Sequence, residues 1–189
     1  MKFNINALIV DLDNTLIQWH PSPKMILTAI SSPKLLLKRI HLQQEQERFR
    51  GIRSEPSSEF SQDTKCAEIE KHFINGAQKS DLLVHWLDIC DAKGIKRAVV
   101  SDNSAIQKLT ALSLDKGWAS ITSCRALGCL KPLPDGIQIA CSQMGIHPSE
   151  TLVIGDRIET DGASAFNAGA QFLLFSDLHL LRDLRKYNT

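Results

Sequence analysis

Short apolar runs and longer amphipathic stretches alternate along most of this chain. Runs at 5–10, 95–100, 119–122, 151–154 and 171–175 are apolar and either β-branched or bounded by turn residues, which predicts five strands. Between them the apolar positions recur at helical spacing. Residues 81–93 carry Leu82, Leu83, Trp86, Leu87 and Cys90, with Ser80 as N-cap and Gly94 as stop. Residues 104–116 carry Ile106, Leu109 and Leu112 and end before Gly117. Residues 135–144 run from Pro134 to Gly145, 162–168 stop at Gly169, and a last amphipathic helix is expected at about 177–186. This β-α-β-α order predicts an α/β protein, a three-layer α/β/α sandwich around a mostly parallel, Rossmann-like sheet.

One segment breaks the alternation. Between Trp19 and Ser80, about sixty residues contain no convincing strand. Residues 24–31 and 34–49 read as helices split by Ser32-Pro33, and 54–63 as a polar loop. Residues 65–77 read as a further helix with Cys66, Ile69, Phe73 and Ala77 on one face. The expected organisation is a core domain from 1–19 and 81–189, with a small helical cap inserted at 20–80.

Composition narrows the class. A chain of 189 residues, 43% hydrophobic, suffices for one full core and a small appended module. A formal net charge of +1 gives no global field that would favour nucleic acid or a membrane surface. The longest apolar runs, four or five residues, are too short to span a bilayer. Met1 to Asn6 lacks a long apolar region and a cleavage site, so no secretory signal is expected. Five cysteines at irregular spacing form neither a disulfide framework nor a zinc knuckle. Cys90 and Cys141 read as small buried hydrophobes, and a reducing cytoplasm is the expected setting.

Polar residues cluster where such a sheet binds ligands, beyond the carboxyl ends of its strands. The first strand runs into Asp11-Leu12-Asp13-Asn14-Thr15, the second into Ser101-Asp102-Asn103 and the fourth into Gly155-Asp156. A loop a few residues beyond the third strand holds Lys131-Pro132. Asp11 and Asp13 lie one residue apart, so alternation puts them on one side, where like charges repel. They must face water or a positive charge. Asp11, Asp13, Asp156 and Asp161 together would suit a hard cation such as Mg²⁺, with Lys131 as a second positive charge and Ser101 as a hydroxyl donor to a phosphoryl oxygen. One carboxylate would then serve as nucleophile and the other as general acid and base.

These four stretches resemble the four ordered motifs of the haloacid dehalogenase superfamily, in its phosphatase branch. DLDNT at 11–15 resembles the first, Ser101 ending RAVVS the second, Lys131 in LKPLPD the third, and GDRIETD at 155–161 the fourth. The resemblance covers the chain outside roughly 20–80. It implies Asp11 as nucleophile and Asp13 as general acid and base, with its backbone carbonyl on the metal. It implies Ser101 and Lys131 on the phosphoryl group, Asp156 as main metal ligand and Thr15 as a structural residue. Asp161 either meets the metal through water or orients Lys131, and it also suits a helix N-terminus. Asp102 and Asn103 either serve phosphate or cap the following helix.

The implied activity is Mg²⁺-dependent hydrolysis of a small phosphomonoester through an aspartyl phosphate. An aspartate at position 13 separates the chain from dehalogenases and transport ATPases but leaves a phosphomutase open. A receiver-type phosphoacceptor and a scaffold without turnover are further alternatives, though receivers lack such an insertion and a scaffold need not keep every acid. No nucleic-acid or membrane partner is expected. Residues 33–53 carry six cations against two acids, an excess of four, which reads either as a solvated helix face or as an anion-attracting wall of the cleft.

Overall fold

A computed structural model describes residues 5–55 and 69–181. Five parallel strands form the central sheet: β1 Ala7–Val10, β4 Lys96–Ser101, β5 Ser120–Ser123, β6 Thr151–Gly155 and β7 Gln171–Leu174. Their order is β5-β4-β1-β6-β7, with Val10 level with Val99 on one side and Ile154 on the other. β1 is therefore the middle strand, and all four of its residues are at most 1% exposed.

Alternation along β1 supplies both faces of the core. Leu8 and Val10 join Val99, Leu152 and Ile154 under α3, Asp81–Ala92, through Leu83, Trp86 and Leu87. Ala7 and Ile9 join Ala98, Val100 and Val153 under α5, Asp135–Met144, through Ile137, Ala140 and Met144. Each such aliphatic side chain withdrawn from water stabilises the fold by about 1.5–3 kcal/mol. Ser80 caps α3, its Oγ accepting the Leu83 N–H at 3.3 Å. α5 closes on Gly145 at φ 64°, a conformation with little penalty only for glycine. The α/β sandwich is thus as expected, with strand limits shifted by no more than two residues. Cys90, Cys124, Cys129 and Cys141 are buried free thiols, while Cys66 lies outside the described residues.

The structure differs from expectation around the insertion. Its first two helices form, as α1 Pro23–Ser31 and α2 Pro33–Arg48. The helix expected at 65–77 does not: only Ile69 and Glu70 are helical among its described residues, followed by turns and a tight 3-10 turn at Ile74–Gly76. Ala77–Lys79 is then a strand, β3, pairing antiparallel with β2, Ile17–Trp19. This two-stranded stem ties the two ends of the insertion together. The loop expected at 54–63 lies outside the described residues beyond Glu55.

Other corrections are smaller. The helix expected at 104–116 is only α4, Ile106–Ala111, because the chain turns at Ser113 with φ 56°. A wide π-type turn at Ile158–Gly162 precedes α6, Ala163–Ala168. Phe175–Leu181 is a 3-10 segment, and the rest of the helix expected at 177–186 lies outside the described residues. No helix among the described residues is long and apolar enough to cross a membrane.

Candidate active site

The first motif is built by a tight turn. Asp11 N–H still donates to Ile154 O at 2.8 Å, extending the sheet by one residue. Asn14 then adopts φ 61°, which asparagine tolerates better than most residues, and its N–H donates to Ile17 O at 2.7 Å. Leu12 and Leu16 are fully buried and pin the turn to the core. Thr15 is also fully buried, its hydroxyl unpaired among the described residues.

A positive charge does meet each aspartate, but not the same one. Lys131 Nζ lies 2.5 Å from Asp11 Oδ1, 2.5 Å from Asp161 Oδ1 and 3.2 Å from Val100 O. All three of its N–H donors thus have acceptors. Lys131 is buried and Asp11 only 7% exposed. Asp13 turns instead to Lys108, whose Nζ lies 2.7 and 3.0 Å from its two oxygens, and accepts the Trp19 indole N–H at 2.9 Å.

Asp161 reaches Lys131 because Gly155 ends β6. A Cβ on Gly155 would stand 2.4 Å from Asp161 Cβ and 2.5 Å from Cγ. The second Asp161 oxygen accepts the Arg157 N–H at 3.2 Å. Asp161 thus contacts Lys131 directly, through Oδ1.

Asp11, Asp156 and Asp161 each bring a carboxylate oxygen within 4.8 Å of the others. Among the described residues Lys131 is the ammonium set directly among these three acids, so carboxyl groups outnumber cations there. Asp156 has Arg157 only at 4.0 Å. An all-oxygen donor set built from carboxyl groups fits a hard divalent cation. The Asp13 carboxylate, committed to Lys108 and Trp19, is outside that set.

The charges act on one another strongly. Burial, with Asp161 alongside, pushes Asp11 up to about 7 against the opposing pull of Lys131. Burial and the Asp161 charge raise Asp156 as well. Burial would also raise Asp13, but the Lys108 ammonium and the hydrogen bonds outweigh it and hold Asp13 below its ordinary value. Lys131 is raised: burial alone would lower it, and Asp11 and Asp161 outweigh that.

Ser101, the last residue of β4, is 2% exposed, and its Oγ accepts the Asn103 N–H at 3.3 Å. The neighbouring Asp102 does not present a free carboxylate. Its Oδ1 accepts the Lys131 backbone N–H at 3.0 Å, and its Oδ2 accepts from Arg50 at 2.8 Å. The Asp102 side chain thus braces the lysine loop. Asn103 bonds Gln46 and Arg125 through its side chain.

Asp11, Asp13, Ser101, Lys131 and Asp156 all line one cavity of about 530 Å³. Its opposite wall is α2 and the segment after it, through Arg39, Gln43, Gln46, Glu47 and Arg50. The chain leaving α2 is fastened to the core: Ser54 N–H donates to Gly128 O at 2.8 Å, Arg53 bridges to Cys129, and its guanidinium pairs with Asp135. Within the basic stretch 33–53, Arg50 faces the cavity while Arg48 is exposed and does not line it.

Three site residues escaped the sequence reading: Lys108, Glu70 and Arg125. Lys108 is 2% exposed, whereas Ile106, expected on the buried face of α4, is 49% exposed. The helix has turned its lysine inward, towards Asp13 and Glu70.

The site is thus a pair of acids at the end of the middle strand of a five-stranded parallel sheet, with Lys131 across from them and the insertion overhead. The model of the haloacid dehalogenase-like hydrolase family matches residues 5–169. The chain belongs to that family. Among solved structures it is similar to a HAD-superfamily hydrolase from Ehrlichia chaffeensis, at 20% identity and TM-score 0.64 over 100% of both chains. It is similar to a HAD phosphatase from Thermococcus onnurineus, at 17% identity and TM-score 0.63 over 89% of this chain and 85% of the other. It is also similar to a β-phosphoglucomutase from Clostridium difficile, at 16% identity and TM-score 0.61 over 89% and 83%. At these identities the likeness concerns the fold. No curated protein matches the chain in sequence.

Proposed function

We propose that this chain is a Mg²⁺-dependent phosphomonoester hydrolase that works through an aspartyl phosphate on Asp11. The observation that carries the proposal is the Asp11–Lys131–Asp161 chain of contacts at the edge of a cavity that also takes in Ser101 and Asp13. Asp11 and Asp156, with Asp161 behind them, would hold the ion, which when bound offsets the negative charge of the acids and of the phosphoryl group.

The remaining chemistry belongs to the chain's own groups. Ser101 Oγ donates to a phosphoryl oxygen, and Lys131 Nζ turns one N–H from Val100 O to another, so that the two orient the phosphorus towards Asp11. An Asp11 oxygen attacks phosphorus, the ester P–O bond breaks, and the departing oxygen takes a proton from Asp13. Water then attacks the phosphoryl group, Asp13 takes its proton, and the Asp11–phosphorus bond breaks to release phosphate. Lys108 favours the Asp13 carboxylate, the form that takes the proton of water in the second step, and so works against the proton donation of the first, which matters least for a good leaving group. The α2 wall, with Arg39, Gln43 and Gln46, faces the rest of a small phosphorylated substrate.

The test is phosphate release from aryl phosphate, sugar phosphates and nucleotides, with Mg²⁺ and with chelator, for the wild type beside Asp11→Asn. The proposal expects turnover that disappears in the variant and without Mg²⁺. Failure of the wild type to turn over any substrate or to bind Mg²⁺ and beryllium fluoride would overturn it. Interconversion of sugar-phosphate isomers in place of phosphate release would point to a mutase.

A further inference from the structure

Lys108 is among the most deeply buried charged groups of the molecule, and no motif accounts for it. It projects from α4, one helix beyond Ser101, and is 2% exposed. Its ammonium meets two acids from distant parts of the chain: Asp13 at 2.7 Å and Glu70, from the insertion, at 2.9 Å. It also stands 5.6 Å from the centroid of the Trp19 ring, whose N–H bonds the same Asp13 oxygen that Lys108 holds at 3.0 Å. Three elements therefore converge on one carboxylate: β2 through Trp19, α4 through Lys108, and the insertion, one step removed, through Glu70.

A buried lysine between two acids is costly to desolvate and rarely adds stability over an apolar replacement of similar size. Two contacts from Lys108 and one from Trp19 fix the rotation of the carboxylate as well as its position. Asp13 also lines the cavity beside Asp11, so its orientation bears on any water that reaches the phosphoryl group.

We infer that Lys108 is a positioning residue, anchored by Glu70 of the insertion, that aims the Asp13 carboxylate at the attacking water during hydrolysis of the aspartyl phosphate. The inference rests on the hydrolase reading above and deepens it. Its signature is uneven. Phosphorylation of Asp11 by an aryl phosphate, whose leaving group needs little protonation, depends weakly on Asp13. Hydrolysis of the phosphoenzyme depends on it fully. Loss of aim by about an ångström costs on the order of a hundredfold in such a step.

The experiment is rapid-quench kinetics with an aryl phosphate and Mg²⁺, reading phosphoenzyme formation and decay separately. Lys108→Met should slow decay by about 10- to 100-fold, leave formation within a few-fold, and so raise the steady-state fraction of phosphoenzyme. Lys108→Arg should restore much of the decay rate, and Trp19→Phe, which keeps the ring and removes the N–H, should slow decay to a lesser degree. Because Lys108→Met strands Glu70, the double variant Glu70→Leu/Lys108→Met provides a folded counterpart with the same expected defect. Equal slowing of both phases, or an unchanged phosphoenzyme fraction, would overturn the positioning role while leaving the hydrolase reading intact. A wild type that forms no phosphoenzyme would sink both.

Discussion

Replacing Lys131 with methionine keeps most of the volume and removes the one ammonium lying between Asp11 and Asp161, each 2.5 Å away. Breaking a buried ion pair by deleting one partner typically costs about 3–5 kcal/mol, because the other charge stays behind unpaired. Here the cost should depend on pH in a definite direction. Asp11 already sits at about 7 with the lysine pulling it down, so the variant raises it further. A carboxyl whose folded pKa exceeds its unfolded value of about 3.9 binds its proton more tightly when folded. Its destabilising effect is therefore absent at low pH and grows by about 1.4 kcal/mol per pH unit until the folded pKa is reached. Urea unfolding of metal-free wild type and Lys131→Met checks this. Because folded wild type already holds Asp11 at about 7, the part of the difference that comes from Asp11 should stay flat up to about pH 7 and then widen by about 1.4 kcal/mol per pH unit. A difference constant with pH, or a variant more stable than wild type near pH 8, would refute the reasoning.

Gly155→Ala should be disproportionately harmful, since its Cβ would collide with Asp161 at 2.4 Å; a stability loss of about 1–3 kcal/mol and at least a tenfold fall in kcat are expected from urea melts and phosphate release. Mg²⁺ binding requires Asp11 ionised, so its affinity by calorimetry should tighten as pH rises towards about 7, with proton release on binding; a flat profile would contradict the assigned ligands. Arg50→Ala removes contacts to Asp102 and to the Lys131 carbonyl and should cost about 1–3 kcal/mol by urea unfolding, whereas exposed Arg48→Ala should stay within about 0.5 kcal/mol. Similar losses for the two arginines would count against α2 being fastened to the lysine loop.

The sheet was legible because four of its five strands carry an unbroken run of three or more apolar residues, β5 with its sequence SITS being the exception, and β1 is buried on both faces. The site's outline was legible for a related reason: Asp11, Ser101 and Asp156 each mark a strand's carboxyl end, where parallel sheets gather polar groups. The β2–β3 stem was not. Each strand has three residues, and their pairing spans the whole insertion, so no local pattern marks Ala77–Lys79 as extended. Lys108 was hidden for a different reason. A lysine between Gln107 and Leu109 on a short helix reads as solvent-facing, and only the distant Asp13 and Glu70 decide that it points inward while Ile106 points out. The side-chain partners of Asp102 were not legible, because Arg50 and the Lys131 N–H come from segments far away in sequence.

The central claim is that Asp11 is phosphorylated in turnover. The most direct test is to quench wild type in acid during steady turnover of a phosphoester with Mg²⁺, digest it, and locate any phosphoryl adduct by peptide mass spectrometry. The account predicts an acid-stable, alkali-labile adduct on Asp11, absent from Asp11→Asn and from reactions without Mg²⁺. Sustained phosphate release with no adduct on Asp11, or with the adduct on another residue, would contradict it.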